Sequence, residues 1–125
     1  MKSEELKNRT KKFAIRIIKL VIALPKNKIG EVLGGQILRS GTSVGANYRA
    51  ACRARSDADF ISKIGIVEEE TDETMYWLEL MAEAEIMKPH LLKDLMKEAD
   101  ELTAIFTASR KTARLNQQNK KYKQK

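Results

Sequence analysis

The side chains able to do chemistry are few, and their spacing works against catalysis. Ser40, Thr42, Ser43 and Asn47 stand among glycines in GGQILRSGTSVGANYRA. A nucleophilic serine needs a base within hydrogen-bond reach. The one histidine, His90, follows Pro89 in a turn at the opposite end from the turn after this stretch. Hydrogen bonding between helices is the work these polar groups suit. Di-metal bundles place a histidine three residues after a glutamate, but the residue three before His90 is Met87. The run Glu68, Glu69, Glu70, Asp72 and Glu73 reads as a solvated or interfacial face rather than a cation site. GEVLGGQIL lacks the Gly-Lys-Ser/Thr of a phosphate loop. The single cysteine, Cys52, has no partner for an internal disulfide or a zinc site and is expected small, buried and inert. No enzyme, metal site or cofactor is expected.

Four helical stretches must position these groups. In the first, Ser3 is the expected cap, and Leu6, Phe13, Ile17, Val21 and Leu24 mark one face. Ile15, Ile18, Leu20 and Ile22 widen that face, which predicts two apolar neighbours. Pro25 ends the stretch. The second runs from Ile29 or Gly30 to Ala54, with Leu33, Ile37, Val44, Ala51 and Cys52 inward. Each glycine inside a helix costs about 1 kcal/mol against alanine. Gly30, Gly34, Gly41 and Gly45 nevertheless fall on one face, which lets another backbone approach closely. Ser56 and Asp59 cap the third stretch. Phe60, Ile64, Val67, Thr71, Thr74, Leu78 and Met81 give it a heptad-like seam, fading near Met87. The fourth starts at His90 to Leu92, with Leu92, Leu95, Ala99, Leu102, Phe106, Ser109 and Ala113 as its stripe. Short connections make this an all-α, antiparallel up-down-up-down four-helix bundle over residues 1–115. Residues 116–125, NQQNKKYKQK, are expected as a basic disordered tail. The longest apolar run is the five residues LVIAL, against the ~20 of a membrane span, and no secretory signal opens the chain, so a cytoplasmic protein is expected.

The 125 residues suit one domain, and their net charge is +7. The pI of about 9.6 favours an anionic partner, most often nucleic acid. The charge is segregated. Residues 1–28 carry nine basic and two acidic groups, and residues 56–88 two basic and ten acidic. The bundle topology gathers cations at one end: Lys7, Arg9, Lys11, Lys12 and Arg16, then Arg49, Arg53 and Arg55, then Arg110, Lys111 and Arg114, with the tail lysines beyond. These are the candidate nucleic-acid-binding residues, RNA and DNA alike, through phosphate contacts. Residues of the second and third helices lie level where their numbers sum to 111 or 112. Arg39 and Glu73 therefore face each other as a structural salt bridge, with Asp72 a possible sharer. Tyr76 and Trp77 point to different sides, and Trp77 anchors a core or an interface.

QILRSGTSVGANYRAACRA followed by DFISKIGIVEEETDETMYWLEL resembles the bacterial four-helix-bundle proteins encoded in intervening sequences of 23S ribosomal RNA genes. The likeness covers roughly residues 8–110 and excludes the tail. It extends to the accessory variability determinant proteins of diversity-generating retroelements, basic bundles that form pentameric rings and bind nucleic acid and a reverse transcriptase. The resemblance implies the bundle and a homopentamer, with no established activity. It implies structural or interface roles for Arg39, Ser43, Asn47, Glu73, Tyr76 and Trp77. A protein-binding scaffold, such as an accessory subunit for a reverse transcriptase, is the alternative expectation.

Overall fold

The structure, a computed structural model, describes residues 1–123. Helix α1 spans Ser3–Ala23, α2 Lys28–Cys52, α3 Asp57–Glu83 and α4 Pro89–Lys123, with no strand among the described residues. Each helix packs on the next in sequence. α1 approaches α4 at few points and does not pack on α3.

The seams follow from side-chain spacing. Leu6, Thr10, Phe13, Ile17, Leu20 and Leu24 are buried at alternating steps of four and three. On α3 the buried set is Ile61, Ile64, Val67, Thr71, Thr74, Leu78 and Met81; on α4 it is Leu92, Leu95, Ala99, Leu102 and Phe106. Phe13, Ile17, Ile37, Ile64, Leu78 and Phe106 are fully enclosed. Burying a side chain of this size contributes about 1.5–3 kcal/mol, and these residues form the centre of one core cluster. The hydroxyls of Ser40 on α2 and Thr74 on α3 are hydrogen-bonded at 2.9 Å inside it. Each hydroxyl also has a backbone carbonyl within its own helix, Ile37 for Ser40 and Glu70 for Thr74, so both are buried without an unpaired polar atom.

The glycine face of α2 receives α1. A Cβ on Gly41 would stand 2.8 Å from Ile17 Cγ1, and one on Gly45 3.2 Å from Thr10 Oγ1. Gly34 lies beneath Val21 and Leu24, and Gly30 beneath the Pro25 carbonyl. Gly35 falls outside this face and has open space where a side chain would project.

Several boundaries differ from the sequence expectation. Lys2 occupies the cap position of α1 and makes no side-chain bond, so Ser3 is the first helical residue and not the cap. Asn27 caps α2 by accepting from the Gly30 amide at 2.9 Å, and Ser56 caps α3 by accepting from the Asp59 amide at 3.1 Å. α3 ends at Glu83, short of Met87, because the chain turns through a left-handed Glu85 at φ 58°. Cys52 is exposed at the last position of α2, not buried. Tyr48, one turn earlier, fills the core position and packs on Phe106 at 5.6 Å. Ile15, Ile18 and Ile22 are also exposed, because only α2 closes tightly on α1. Helix α4 continues through residues 116–123, where a disordered tail was expected. Glutamine and lysine are good helix formers, no glycine or proline interrupts the segment, and Lys120 reaches Asp57 at 3.0 Å. Residues 124–125 of that expected tail lie outside the described residues.

Candidate nucleic-acid interface

The predicted cations divide into those engaged within the chain and those facing outward. Arg9 is engaged. Its Nε donates to Glu98 Oε2 at 2.7 Å, and its Nη2 to Glu98 Oε1 at 2.6 Å and to Glu101 at 3.1 Å. The Glu98 hydrogen bonds hold the Arg9 guanidinium above its ordinary pKa. Arg110 is engaged likewise, donating to Glu68 Oε1 at 2.7 Å, and Thr107 also donates to Glu68. These bonds hold the Glu68 carboxyl below its ordinary range, the Arg110 hydrogen bond being the largest cause. Lys7 makes only an exposed 3.3 Å pair with Glu4 within its own helix.

Among the described residues, Lys11, Lys12, Arg16, Arg49, Arg53, Arg55, Lys111 and Arg114 form no ion pair. Three cations converge. Lys7 and Lys11 of α1 and Arg49 of α2 line one cleft of about 320 Å³, together with Asn8, Thr10, Thr42 and one acid, Glu4, which pairs with Lys7. Its small lining residues are Ala14, Gly45 and Ala46. Absence of side chains at Gly45 and near-absence at the two alanines leaves the cleft open between long basic side chains. Arg55 lines a separate shallow pocket with Cys52, Ser56 and Phe60 at the α2–α3 turn. Arg114 lies with Arg110 beside Glu68 and Glu69, so the fields of those acids reduce its reach. The acids Glu98 and Glu101, which engage Arg9, escape the sequence argument. The level rule that pairs Arg39 with Glu73 depends on a tight turn between consecutive helices, and no such turn joins α1 to α4.

The residues singled out as structural behave as a linked set. Arg39 donates to Glu70 at 3.2 Å and also to Glu73. Glu70, not Asp72, is the second acceptor; Asp72 faces solvent. Trp77 Nε1 donates to Glu73 at 3.2 Å, and its ring meets Tyr76 edge-on at 5.2 Å. Ser43 Oγ donates to the Arg39 carbonyl at 2.6 Å, and Asn47 Nδ2 to the Ser43 carbonyl at 2.9 Å. The Ser43 and Asn47 bonds stay within α2 and the Trp77 bond within α3, so Arg39 alone of this set ties α2 to α3, while Trp77 steadies its Glu73 acceptor. Tyr76 remains largely exposed.

His90 is exposed at the start of α4. No cluster of three or more histidine, cysteine or acidic side chains suited to a metal occurs among the described residues. No helix of the described residues is long and apolar enough to cross a membrane.

Residues 2–108 match the family model described as 23S rRNA-intervening sequence protein. The fold is similar to the crystal structure of a protein of unknown function from the S23 ribosomal protein family of Bacteroides thetaiotaomicron. That match has a TM-score of 0.82 and 38% identity over 89% of this chain and 99% of the other. No curated protein matches the chain at a significant level. Neither the family description nor the structural relative indicates a catalytic activity.

Proposed function

The chain belongs to the 23S rRNA-intervening sequence protein family, and from that premise we propose that it is a non-catalytic, homo-oligomeric nucleic-acid-binding protein. The bundle is antiparallel, up-down-up-down. Ile17 against Gly41 and Thr10 against Gly45 support this for α1 and α2. Glu68 with Arg110 and Asp57 with Lys120 support it for α3 and α4. The copies assemble into a ring, a pentamer by the resemblance described above, in the cytoplasm.

Binding is through phosphates, with little readout of base sequence. The observation that carries this reading is the convergence of Lys7, Lys11 and Arg49 on one cleft with small lining residues. Arg53, Arg55 and Lys111 extend the positive end. Arg9 and Arg110 contribute mainly by holding the bundle, since their guanidinium groups are engaged by glutamates.

The test is a titration of single-stranded and duplex RNA and DNA across about 50 to 200 mM salt. Log affinity should fall against log salt by roughly 0.7–0.9 for each phosphate neutralised. Lys11→Glu with Arg49→Glu should lower affinity at least tenfold at low salt and flatten the slope, with helicity unchanged. Arg53→Glu with Arg55→Glu should act in the same direction. No binding at low salt, or a slope near zero, refutes the reading.

A protein-binding scaffold is the alternative, and the outward acidic face of α3 favours it. A partner protein retained after nuclease treatment, with no direct nucleic-acid binding, would select that alternative.

A further inference from the structure

Two outward faces of the bundle are unlike in charge and alike in carrying apolar side chains. On α1, Ile15, Ile18 and Ile22 are 44%, 41% and 66% exposed at steps of three and four. Lys12, Arg16 and Lys19 stand on the same exposed side. On α3, Ile66, Glu69, Asp72, Tyr76, Glu79 and Glu83 are all exposed at steps of three and four. None of these three cations and four acids forms an ion pair among the described residues. A stripe of three exposed isoleucines on one helix is a contiguous apolar surface, which marks an interaction site rather than scattered exposure.

We propose that the isoleucine face of α1 docks on the acidic face of α3 of a second copy of this chain. The inference rests on the homo-oligomeric reading above and names the surfaces that build the assembly. Charge complementarity selects the occupant: the basic, apolar face finds its counterpart on the same molecule. Two α1 faces placed together would oppose lysine with lysine and arginine, which is unfavourable. The position of the helices gives the symmetry. α1 and α3 do not pack on one another, because α2 and α4 lie between them. Their outer faces therefore look away from each other. A contact between one and the other is head-to-tail, and such contacts close into a ring when the rotation permits. Docking covers Ile15, Ile18 and Ile22, and it withdraws Lys12 and Arg16 from any nucleic-acid surface. The cleft of Lys7, Lys11 and Arg49 remains for phosphate.

The experiment measures the solution mass of the full chain by light scattering. The wild type should run at a multiple of 14.2 kDa. Triple reversal on α1 (Lys12→Glu, Arg16→Glu, Lys19→Glu) should give the monomer with helicity retained. Triple reversal on α3 (Glu69→Lys, Asp72→Lys, Glu79→Lys) should do the same. Both sets in one chain should restore the assembly, because reversal on both sides keeps the charges complementary. An assembly insensitive to either reversal, or a sixfold variant that stays monomeric, overturns the docking while leaving the homo-oligomeric reading standing. A monomeric wild type overturns both.

A measurement on the unaltered chain stands beside these. Zero-length carbodiimide coupling should join Lys12 or Lys19 to Glu69 or Glu79 between subunits, as read by peptide mass. Cross-linked assemblies lacking every such α1–α3 peptide overturn the proposal even if a variant fails to fold.

Discussion

Arg9 reaches from α1 to α4 and holds Glu98 through two parallel hydrogen bonds of 2.7 and 2.6 Å. The two helices otherwise meet at few points, so this pair fastens an open seam of the bundle. Both side chains are mostly shielded, at 25% and 16% exposure. Fork-shaped geometry of this kind is stronger than a flexible surface pair. Arg9→Gln should lower unfolding free energy by about 1–2 kcal/mol, measured by denaturant titration. Its salt slope for nucleic-acid binding should match the wild type, because the guanidinium is already neutralised. A variant of unchanged stability and weakened binding would show instead that Arg9 serves a ligand.

Two glycines of α2 should respond to alanine with opposite signs. At position 41 the new methyl group would meet Ile17 at 2.8 and 2.9 Å. Those contacts are with atoms near the backbone of a β-branched side chain, which turns aside only by moving α1. The clash costs about 1–3 kcal/mol, more than the roughly 1 kcal/mol of helix propensity that alanine adds. Gly41→Ala should therefore destabilise the protein. At position 35 nothing lies within 4 Å, so Gly35→Ala should stabilise it by about 0.5–1 kcal/mol. Thermal midpoints of the two variants, measured in the same buffer, decide the matter; equal shifts would contradict the close approach of α1.

Acid should loosen the α3–α4 contact through Glu68. Arg110 and Thr107 hold the folded carboxyl below its ordinary value of 4.5. A depressed folded pKa means that the unfolded state takes up the proton first as pH falls. The stabilisation is therefore complete above about pH 4.5 and is lost as pH drops through the folded value. Glu68→Gln keeps the side chain's size and removes the titration. The stability difference between wild type and variant should be constant near neutrality and shrink below pH 4.5. A difference that holds its size in acid would assign the contribution to packing rather than charge.

The seams and the Arg39–Glu73 pair were legible because they depend on local spacing and one tight turn. Ile17 and Val44 sit where heptad and glycine spacing place them. Cys52 does not, because Tyr48 takes the core position one turn earlier, and Ile18 does not, because of where the helices meet. Side-chain type shows which residues are apolar, but which sides of a helix acquire neighbours depends on how far α4 closes on α1. The engagement of Arg9 was hidden by the same gap, since the sequence supplied no register between the first and fourth helices. The end of α4 was missed because loss of apolar periodicity ends a buried stripe without ending a helix. At the candidate site, the clustering of cations at one end followed from topology. The convergence of Lys7, Lys11 and Arg49 required the tight α1–α2 approach at Gly45.

The end of α3 offers the last test, because the chain adopts a glycine conformation without a glycine. The Ile86 amide donates to the Met81 carbonyl at 2.9 Å, and the Glu85 amide to the Ala82 carbonyl at 3.2 Å. This is the double bond of a Schellman cap, whose left-handed position is most often glycine. Here it is Glu85 at φ 58°. A side chain in that region crowds its own backbone by about 1–2 kcal/mol, while glycine's greater freedom in the unfolded chain offsets part of any relief. Glu85 is exposed and forms no ion pair among the described residues, so its replacement removes no contact of consequence. Glu85→Gly should therefore raise stability by about 0.5–1 kcal/mol. Glu85→Ala, which keeps the Cβ, should leave it nearly unchanged. Equal gains from both substitutions would place the effect in the charge of Glu85 and not in its backbone.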